Sequence, residues 1–591
     1  MRKSRSAGKA GTKAGHKVGR PQMDLFEEPA GRPAAPASVA PRAAGEKAKA
    51  TTEKPVPAAE TASVQRPAEA KPAPRVTAEA LAQKQREISV SEFFVKNRHL
   101  LGFDNPQKAL LTAVRECVDN SLDACGEAGI LPDLRIHVDQ LAEDRFRVAV
   151  EDNGPGIVRK QVPRVFGKLL YGSKFHTLKQ QRGQQGIGVS AAGMYGQLTT
   201  GKPVRIVSRT AKRAPAHLFE VTVDTKKNEP LVLKEEVTEW DADHGTRVEI
   251  ELEAIYKKGK RSVDDYVEQT ALANPHAEIL YTPPKQEPVR YARAVSQLPE
   301  EPKEIRPHPY GVELGRLLRM LQDTPARTLS AALKQDFSRV TEKVVAEVSG
   351  VAHVKPESRP RQLGPAEVER LHKAFQAVKI MSPPTNCLSP IGEEAIVAGL
   401  KKRFEADYFE AVTRPPAVYR GNPFQVEVGL GYGGQLPADE LIELYRLANR
   451  VPLQYQASAC AITKAAMTVD WRAYGLQMSK GALPSGPMVL MIHIASVWVP
   501  FTSESKEAIA HYPEIVKELR LALMDVGRKL SAHIRHRRRS EAEAKKRSYI
   551  DKFIPHIGIA LKDILALSEK EEKRVVDTLR HTLERSREAL G

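Results

Sequence analysis

Apolar positions in the first third of the chain change period, and each change predicts an element. In FDNPQKALLTAVRECVDNSLDACGEAG, Val114, Cys117, Val118 and Leu122 recur at helical spacing. Asp104 or Asn105 is the expected N-cap, Pro106 takes the first helical position, and Gly126 or Gly129 lies beyond the end. The period drops to two in RIHVDQ and RFRVAVED, and again in VRIVSRT, HLFEVTVD and TRVEIELE, which predicts strands with one buried face. Helix and strands together imply a two-layer α/β sandwich whose loops are free to build a site. Between about Pro307 and Leu400 the pattern is mostly helical, with turns at SPPTN and LSPIG. A second α/β region starts near Lys401, where NPFQVEVGLGYGG reads as strand and turn and MVLMIHIASVWV from Met488 as a buried strand. From about Ile515 a highly charged helix is expected, then a break at IPHIG and another helix.

Composition changes this picture at the N-terminus. Residues 1–87 are rich in Ala, Pro, Lys, Arg and Gly and poor in aromatic and β-branched side chains, so a disordered basic tail is expected. The expected partition is the tail at 1–87, the α/β sandwich at 88–306 with ISVSEFF as its leading strap, a helical module at 307–400, a second α/β domain at 401–530, and a C-terminal helical segment at 531–591. The 591 residues include 91 Lys and Arg against 73 acids, a formal charge of +18 that favours a polyanionic partner, nucleic acid first. Cys117, Cys125, Cys387 and Cys460 form no CxxC pair, which fits buried thiols in a reducing compartment and no structural zinc. No apolar run approaches the roughly 20 residues of a membrane helix. The basic N-terminus lacks the apolar core of a secretory signal, and a cytoplasmic, nucleoid-associated protein is expected.

Polar positions on the first helix carry the chemistry. Glu116 and Asn120 project from one face and can share a ligand. Asp119 is read as solvent-facing or structural, and Asp123 is open between binding water and capping a neighbouring loop. Further on, a strand ends in EDNGPGI, and RGQQGIGVSAAG, Arg182 to Gly193, runs into an apolar segment. Glycines there let backbone N–H groups approach a phosphate, and a helix N-terminus favours anions.

Taken in order, ExxxN on a helix, DxGxG after a strand, GxxGxG before a helix and HGT before a last strand resemble the GHKL ATPases, which include gyrase B, MutL-type repair proteins, certain chaperones and histidine kinases. The resemblance implies a Bergerat fold that takes ATP and magnesium. Glu116 would be the general base that orients water, and Asn120 the magnesium ligand through its side-chain oxygen. Asp152 would accept from the adenine amino group, with Thr246 in support and Gly154 and Gly156 turning around the base. Gly183, Gln184, Gln185, Gly186, Ile187, Gly188, Val189 and Ser190 would wrap the phosphates as a lid.

Longer segments resemble the B subunits of DNA topoisomerase VI: VSEFFVKNRHLLGFDNPQKALLTAVRECVDNSLDACGEAGILPD, GQQGIGVSAAGMYGQLTTGKP, RPPAVYRGNPFQVEVGLGYGG, ANRVPLQY and VPFTSESKEAIA. They run from about Ile88 to beyond Leu523. This resemblance implies a helix-two-turns-helix module at 307–400 and a transducer domain whose long helix docks an A subunit. It places Lys506 on the γ-phosphate, and Ser173 and Lys174 at the lid's leading edge near nucleotide. It implies an ATP-driven gate: two B subunits with two A subunits, dimerising on ATP through segments near Ile88 to Phe94 around double-stranded DNA, while the A subunits cut the strands. The alternative is an ATP-gated DNA clamp without a cleaving partner. No C-terminal immunoglobulin-like domain is expected, because the chain after Ser548 reads as helix. KKGKR at 257–261 and RKLSAHIRHRRRSEAEAKKR at 528–547 could meet DNA phosphates, the second being otherwise a solvated helix face. In the tail, Gln22, Leu25 and Phe26 fit QxxLF, similar to the peptide by which bacterial DNA-processing proteins bind the sliding clamp; otherwise they are an incidental apolar island.

Overall fold

The computed structural model describes residues 81–82, 85, 88–174, 177–183, 186–503 and 505–588. The QxxLF segment and nearly all of the expected tail lie outside these residues. The strap begins at Ser89, whose side chain caps helix α1 (Val90–Lys96) by accepting from Glu92 N at 3.1 Å. Its hydroxyl also donates to Thr225 O at 2.5 Å, tying the strap to the sheet beyond.

Helix α2 (Pro106–Glu127) starts as the sequence requires: Asn105 accepts from Lys108 N at 2.9 Å, Pro106 sits in the first turn, and Gly129 leaves at φ +68°. Leu110, Val114, Val118 and Leu122 are at most 2% exposed. Each stabilises the fold by about 1.5–3 kcal/mol through burial. They face an eight-stranded sheet of order β5-β4-β3-β6-β2-β1-β7-β8, formed by β1 (Asp133–Gln140), β2 (Arg145–Asp152), β3 (Val204–Arg209), β4 (Ala216–Asp224), β5 (Glu229–Thr238), β6 (Gly245–Glu253), β7 (Glu278–Thr282) and β8 (Val289–Tyr291). The pairings are antiparallel except β1 with β7. Helix α3 (Gly188–Thr200) packs beside α2, and α4 (Val263–Ala273) completes the layer. The β2–β6 register sets Thr246 opposite Asp152 at the sheet end nearest α3's glycine loop.

Helices α5 (Leu314–Asp323), α6 (Leu329–Asp336), α7 (Glu342–Ala352) and α8 (Pro365–Ala377) build a separate core running from Val312 to Ile380. Helix α9 (Glu393–Arg403) instead buries Ile396 and Leu400 against Ala411, Val489 and Met491 of the second sheet. That sheet has the order β10-β11-β16-β12-β13, with β9 (Tyr408–Thr413) also on β11; it uses β10 (Ala417–Tyr419), β11 (Asn422–Tyr432), β12 (Glu443–Ala448), β13 (Val451–Pro452) and β16 (Met488–Ser496). A two-stranded ladder of β14 (Gln477–Met478) and β15 (Pro484–Ser485) lies apart. All nine residues of β16 are buried. Within it, the neutral His493 imidazole donates from Nδ1 to Glu427 Oε2 at 2.7 Å and accepts from Arg450 N at Nε2 at 3.0 Å. Burial depresses the His493 pKa, and its Nε2 needs the lone pair for Arg450 N.

One expectation fails, and one strand was not foreseen. The break at IPHIG is absent: α10 (Pro513–Leu565) runs through Pro555 and ends at Ala566, in the left-handed region at φ +50°. Proline loses one helical hydrogen bond, but α11 (Glu569–Glu588) folds back on this stretch, with Val576 against Gly558, and Ile554 is buried. The edge strand β5 was not expected, because it is exposed on both faces and shows no alternation. After Ser548 the described chain is helical, as read from the sequence. All four cysteines are free and buried, and burial pushes the Cys117 thiol up to about 12. Among the described residues no helix is long and apolar enough to cross a membrane.

Candidate functional site

A cleft of about 660 Å³ opens between α2, the ends of β2 and β6, and the loop entering α3. Glu116 and Asn120 both line it, on the face their spacing predicts. Glu116 is partly buried, with Oε1 accepting from the Arg115 guanidinium at 3.2 Å, while Asn120 is exposed. At the floor, Asp152 is 7% exposed. Its Oδ2 accepts from Ser121 Oγ at 2.7 Å, and Oδ1 accepts from Gly154 N at 2.9 Å and Thr246 N at 3.2 Å. Burial raises its pKa, opposed by those three donors, and the site keeps a fixed acceptor at its deepest point. Thr246 Oγ1 lies 3.2 Å from Ser208 Oγ, which holds the neighbouring turn by accepting from Ile157 N at 2.8 Å.

Glycine is required where backbone crowds backbone. At Gly156, φ is +69° and a Cβ would strike the Arg209 carbonyl, so the turn after β2 closes on β3 only with glycine. Gly156 lines the cleft. Gly154 sits one layer back, giving its N–H to Asp152 and its carbonyl to His244 Nδ1 at 2.8 Å. On the opposite wall, Gly183, Gly186, Ile187, Gly188 and Val189 face the cavity, while Gln184 and Gln185 lie outside the described residues. A Cβ on Gly188 would overlap Glu116 Oε2, so the start of α3 touches the carboxylate. Ser190 also borders the cavity, but its hydroxyl is shared between Val165 O at 3.0 Å and Lys168 O at 3.1 Å, pointing into the fold.

Ser173 and Lys174 reach the cleft rim. The Lys174 ammonium is engaged by Asp123 at 2.9 Å and Glu127 at 3.0 Å. Lys506 arrives from the loop after β16, 9% exposed, with Nζ donating to Arg182 O at 2.8 Å. Its loop is docked by Arg115 Nη1 donating to Ser505 O at 3.1 Å and by a Lys108–Glu507 pair at 2.5 Å.

Asp119 faces inward, which removes the solvent-facing reading. It is 3% exposed, accepts from Tyr266 Oη at 3.3 Å, and burial pushes its pKa up to about 7. Asp123 proves to be a buried acceptor for Lys174, Arg182 and Gly183. Sequence reading passed over Arg115, Ser121 and Arg182. Arg115 and Ser121 are each next in sequence to a motif residue, and Arg182 opens the glycine loop, and that adjacency is the signal by which they could have been found. No cluster of three or more His, Cys, Asp or Glu that could hold a metal occurs among the described residues. A single amide oxygen, on Asn120, fits magnesium that is held chiefly by phosphate oxygens and water.

A carboxylate–amide pair on α2, a buried aspartate closing β2 and a glycine loop entering α3 define a nucleotide site of the GHKL class. Residues 105–255 match the family model for histidine kinase-, DNA gyrase B- and HSP90-like ATPases, and residues 383–547 match the model for the topoisomerase VI B subunit transducer. The chain is 49% identical over 489 residues to the type 2 DNA topoisomerase 6 B subunit of Methanococcoides burtonii, covering 83% of this chain and 79% of that one. It is 46% identical over 497 residues to the protein of the same name from Archaeoglobus fulgidus, covering 84% and 82%. The corresponding protein of Thermococcus kodakarensis is 39% identical over 532 residues, covering 82% and 92%. The chain belongs to this family, the B subunits of type 2 DNA topoisomerase 6.

Proposed function

We propose that the cleft binds and hydrolyses ATP, and that this drives a type II topoisomerase in which this chain is the B subunit. The observation that carries the reading is the meeting of Glu116, the α3 glycine loop and Lys506 on one cavity. Glu116 orients and deprotonates the attacking water, its carboxylate held by Arg115. Asp152 accepts from the adenine amino group, with Ser121 and Thr246 fixing its oxygens. Backbone N–H groups from Gly183 to Val189 cradle the phosphates at the α3 N-terminus. Ser190 serves the lid by anchoring α3 to the Val165 and Lys168 carbonyls. Asn120 holds magnesium, which when bound neutralises phosphate charge. Lys506 and the rim residues Ser173 and Lys174 face the terminal phosphate.

Family membership supports the rest of the cycle as proposed. Two B subunits close on ATP through the strap around Ile88 to Phe94, two A subunits cut one duplex, and a second duplex passes. The partition at 88–306, 307–400 and 401–530 is proposed with one shift: the helical module ends before α9 (Glu393–Arg403), whose apolar face packs on the transducer sheet. DNA contact is assigned to phosphate. All five residues of KKGKR are exposed, with Arg261 beside the Tyr455 ring at 5.9 Å, whereas several cations of 528–547 are already paired, Arg537 with Asp407 at 2.7 Å among them. A tail contact to a sliding clamp through Gln22, Leu25 and Phe26 is tested by titrating a peptide of residues 20–31 against the clamp, beside its Leu25→Ala, Phe26→Ala form; equal binding, or none, removes it. The central test is relaxation of supercoiled DNA by this chain together with the A-type partner. Relaxation that requires ATP is expected, and relaxation at the same rate without nucleotide refutes the reading.

A further inference from the structure

Asp123 is left without a role by the ATP-site reading, and the role inferred for it rests on that reading. It lies behind the cleft, against Arg182, and both its oxygens are committed. Oδ1 accepts from Arg182 Nη1 at 2.9 Å, while Oδ2 accepts from Lys174 Nζ at 2.9 Å and, more weakly, from Gly183 N at 3.4 Å. These donors gather where the lid begins: Lys174 stands at its leading edge, Arg182 precedes the glycine loop, and Gly183 opens it. One carboxylate on α2 therefore holds the rim lysine and the start of the glycine loop together.

Arg182 extends the connection. Its other guanidinium arm donates to Asn274 Oδ1 at the end of α4, and its carbonyl oxygen accepts the Lys506 ammonium at 2.8 Å. The adjoining backbone is clamped from the second sheet and the linker before it. Asn449 Nδ2 donates to Gln181 O at 2.9 Å, and Gln180 exchanges two hydrogen bonds with Ser389, at 3.0 and 2.7 Å. Asp123, Arg182 and Lys506 thus form a continuous relay from the helix bearing Glu116 to the transducer lysine. Asp123 and Arg182 fix the position of Lys506 without themselves being placed on the nucleotide, and a planar guanidinium bonded to two acceptors holds them in a defined geometry.

We propose that Asp123 is a positioning residue for ATP turnover, fixing Arg182 and, through the Arg182 carbonyl, the Lys506 ammonium, while holding the lid's leading edge through Lys174. Its loss lets the lid and Lys506 drift, which slows hydrolysis. Ground-state nucleotide binding is spared, because Lys174, still paired with Glu127 at 3.0 Å, remains at the rim where phosphates lie. A purely structural role would instead weaken binding and turnover together.

The test uses the full chain and compares Asp123→Asn, Lys506→Ala and the double variant, measuring ATP turnover and the affinity of a non-hydrolysable ATP analogue with magnesium. Asp123→Asn is expected to lower kcat by about 10- to 100-fold, the usual cost of displacing a positioned group by about 1 Å, with analogue affinity within about threefold of the parent or tighter. The double variant is expected to be no slower than the slower single variant, because both act through one path. Asp123→Asn turnover within about twofold of the parent, or losses that multiply in the double variant, overturns the proposal. If Asp123→Asn does not fold, Arg182→Gln, which keeps the carbonyl used by Lys506, is read against the same two outcomes. A parent chain that binds no analogue, or parental hydrolysis by Glu116→Gln, overturns the ATP-site reading and this proposal with it. Parental hydrolysis by Asp123→Asn beside an inactive Glu116→Gln removes the relay alone.

Discussion

Gly188→Ala separates catalysis from stability. A Cβ at this position would overlap Glu116 Oε2 and crowd its Cδ and Cγ, while no other group lies among its nearest neighbours. The obstacle is the far end of a flexible side chain, so Glu116 swings aside and loses its contact with Arg115 at 3.2 Å. Displacing a general base by about 1 Å costs on the order of 10² in rate, about 2.7 kcal/mol in the barrier. Stability moves little. Gly188 does not adopt positive φ, and alanine in the first turn of α3 gains up to about 1 kcal/mol in helix propensity, which offsets the rotamer change in Glu116. The assay pairs ATP turnover with a urea midpoint. The expected result is a turnover near that of Glu116→Gln with a midpoint close to the parent's. Turnover within about threefold of the parent would refute the placement of the base against α3, and a collapse of the midpoint would show that the overlap is relieved by the helix instead of the carboxylate.

Glu116→Gln should keep nucleotide affinity and lose about 10² to 10⁴ in hydrolysis, and retained turnover would remove Glu116 as base. Asn120→Ala should weaken analogue binding in a magnesium titration; an unchanged magnesium dependence would exclude Asn120 as ligand. For Asp123, burial raises the pKa, but Lys174 and Arg182 override it and hold the carboxyl well below its usual range. The folded state therefore binds fewer protons than the unfolded one in acid. The stabilisation is complete above about pH 4 and is lost as pH falls toward the folded value. Asp123→Asn should accordingly flatten the acid limb of stability against pH, as read by urea midpoints, and a limb as steep as the parent's would show that the pair does not form in solution.

The parts of the fold legible in the sequence are those set by local rules. Asn105, Pro106 and Gly129 mark the ends of α2 because capping and φ preference act within a few residues, and β1, β2, β4 and β6 announce themselves through one-sided burial. Strand β5 carries no such pattern because neither face is covered. Pro555 misleads because its local cost is outweighed by packing of α11, which lies beyond any local window. The same limit governs the site. Glu116, Asn120 and Asp152 stand in motifs whose order and spacing bring them to one cleft. Asp119 and Asp123 look alike on paper, and only tertiary contacts make one a buried partner of Tyr266 and the other an acceptor for Arg182.

The loop carrying Lys506 shows how hydrolysis can be tied to closure by contacts alone. Its two flanking residues are anchored on the first domain: Ser505 O accepts from Arg115, and Glu507 pairs with Lys108 at 2.5 Å while accepting from Gln456 Nε2 at 2.6 Å. Between them Lys506 holds φ +53°, a left-handed conformation that costs a lysine about 1 kcal/mol. That strain persists only while both anchors hold. Arg115 meanwhile donates to Glu116 as well as to Ser505 O, so one guanidinium touches the proposed base and the loop presenting the proposed phosphate sensor. Withdrawing the loop removes the ammonium from the cleft and takes away one of the groups that fix Arg115, and with it the orientation of Glu116. On these roles the base and the lysine are correctly placed only with the transducer docked, and ATP is cleaved when the gate is shut and spared when it is open.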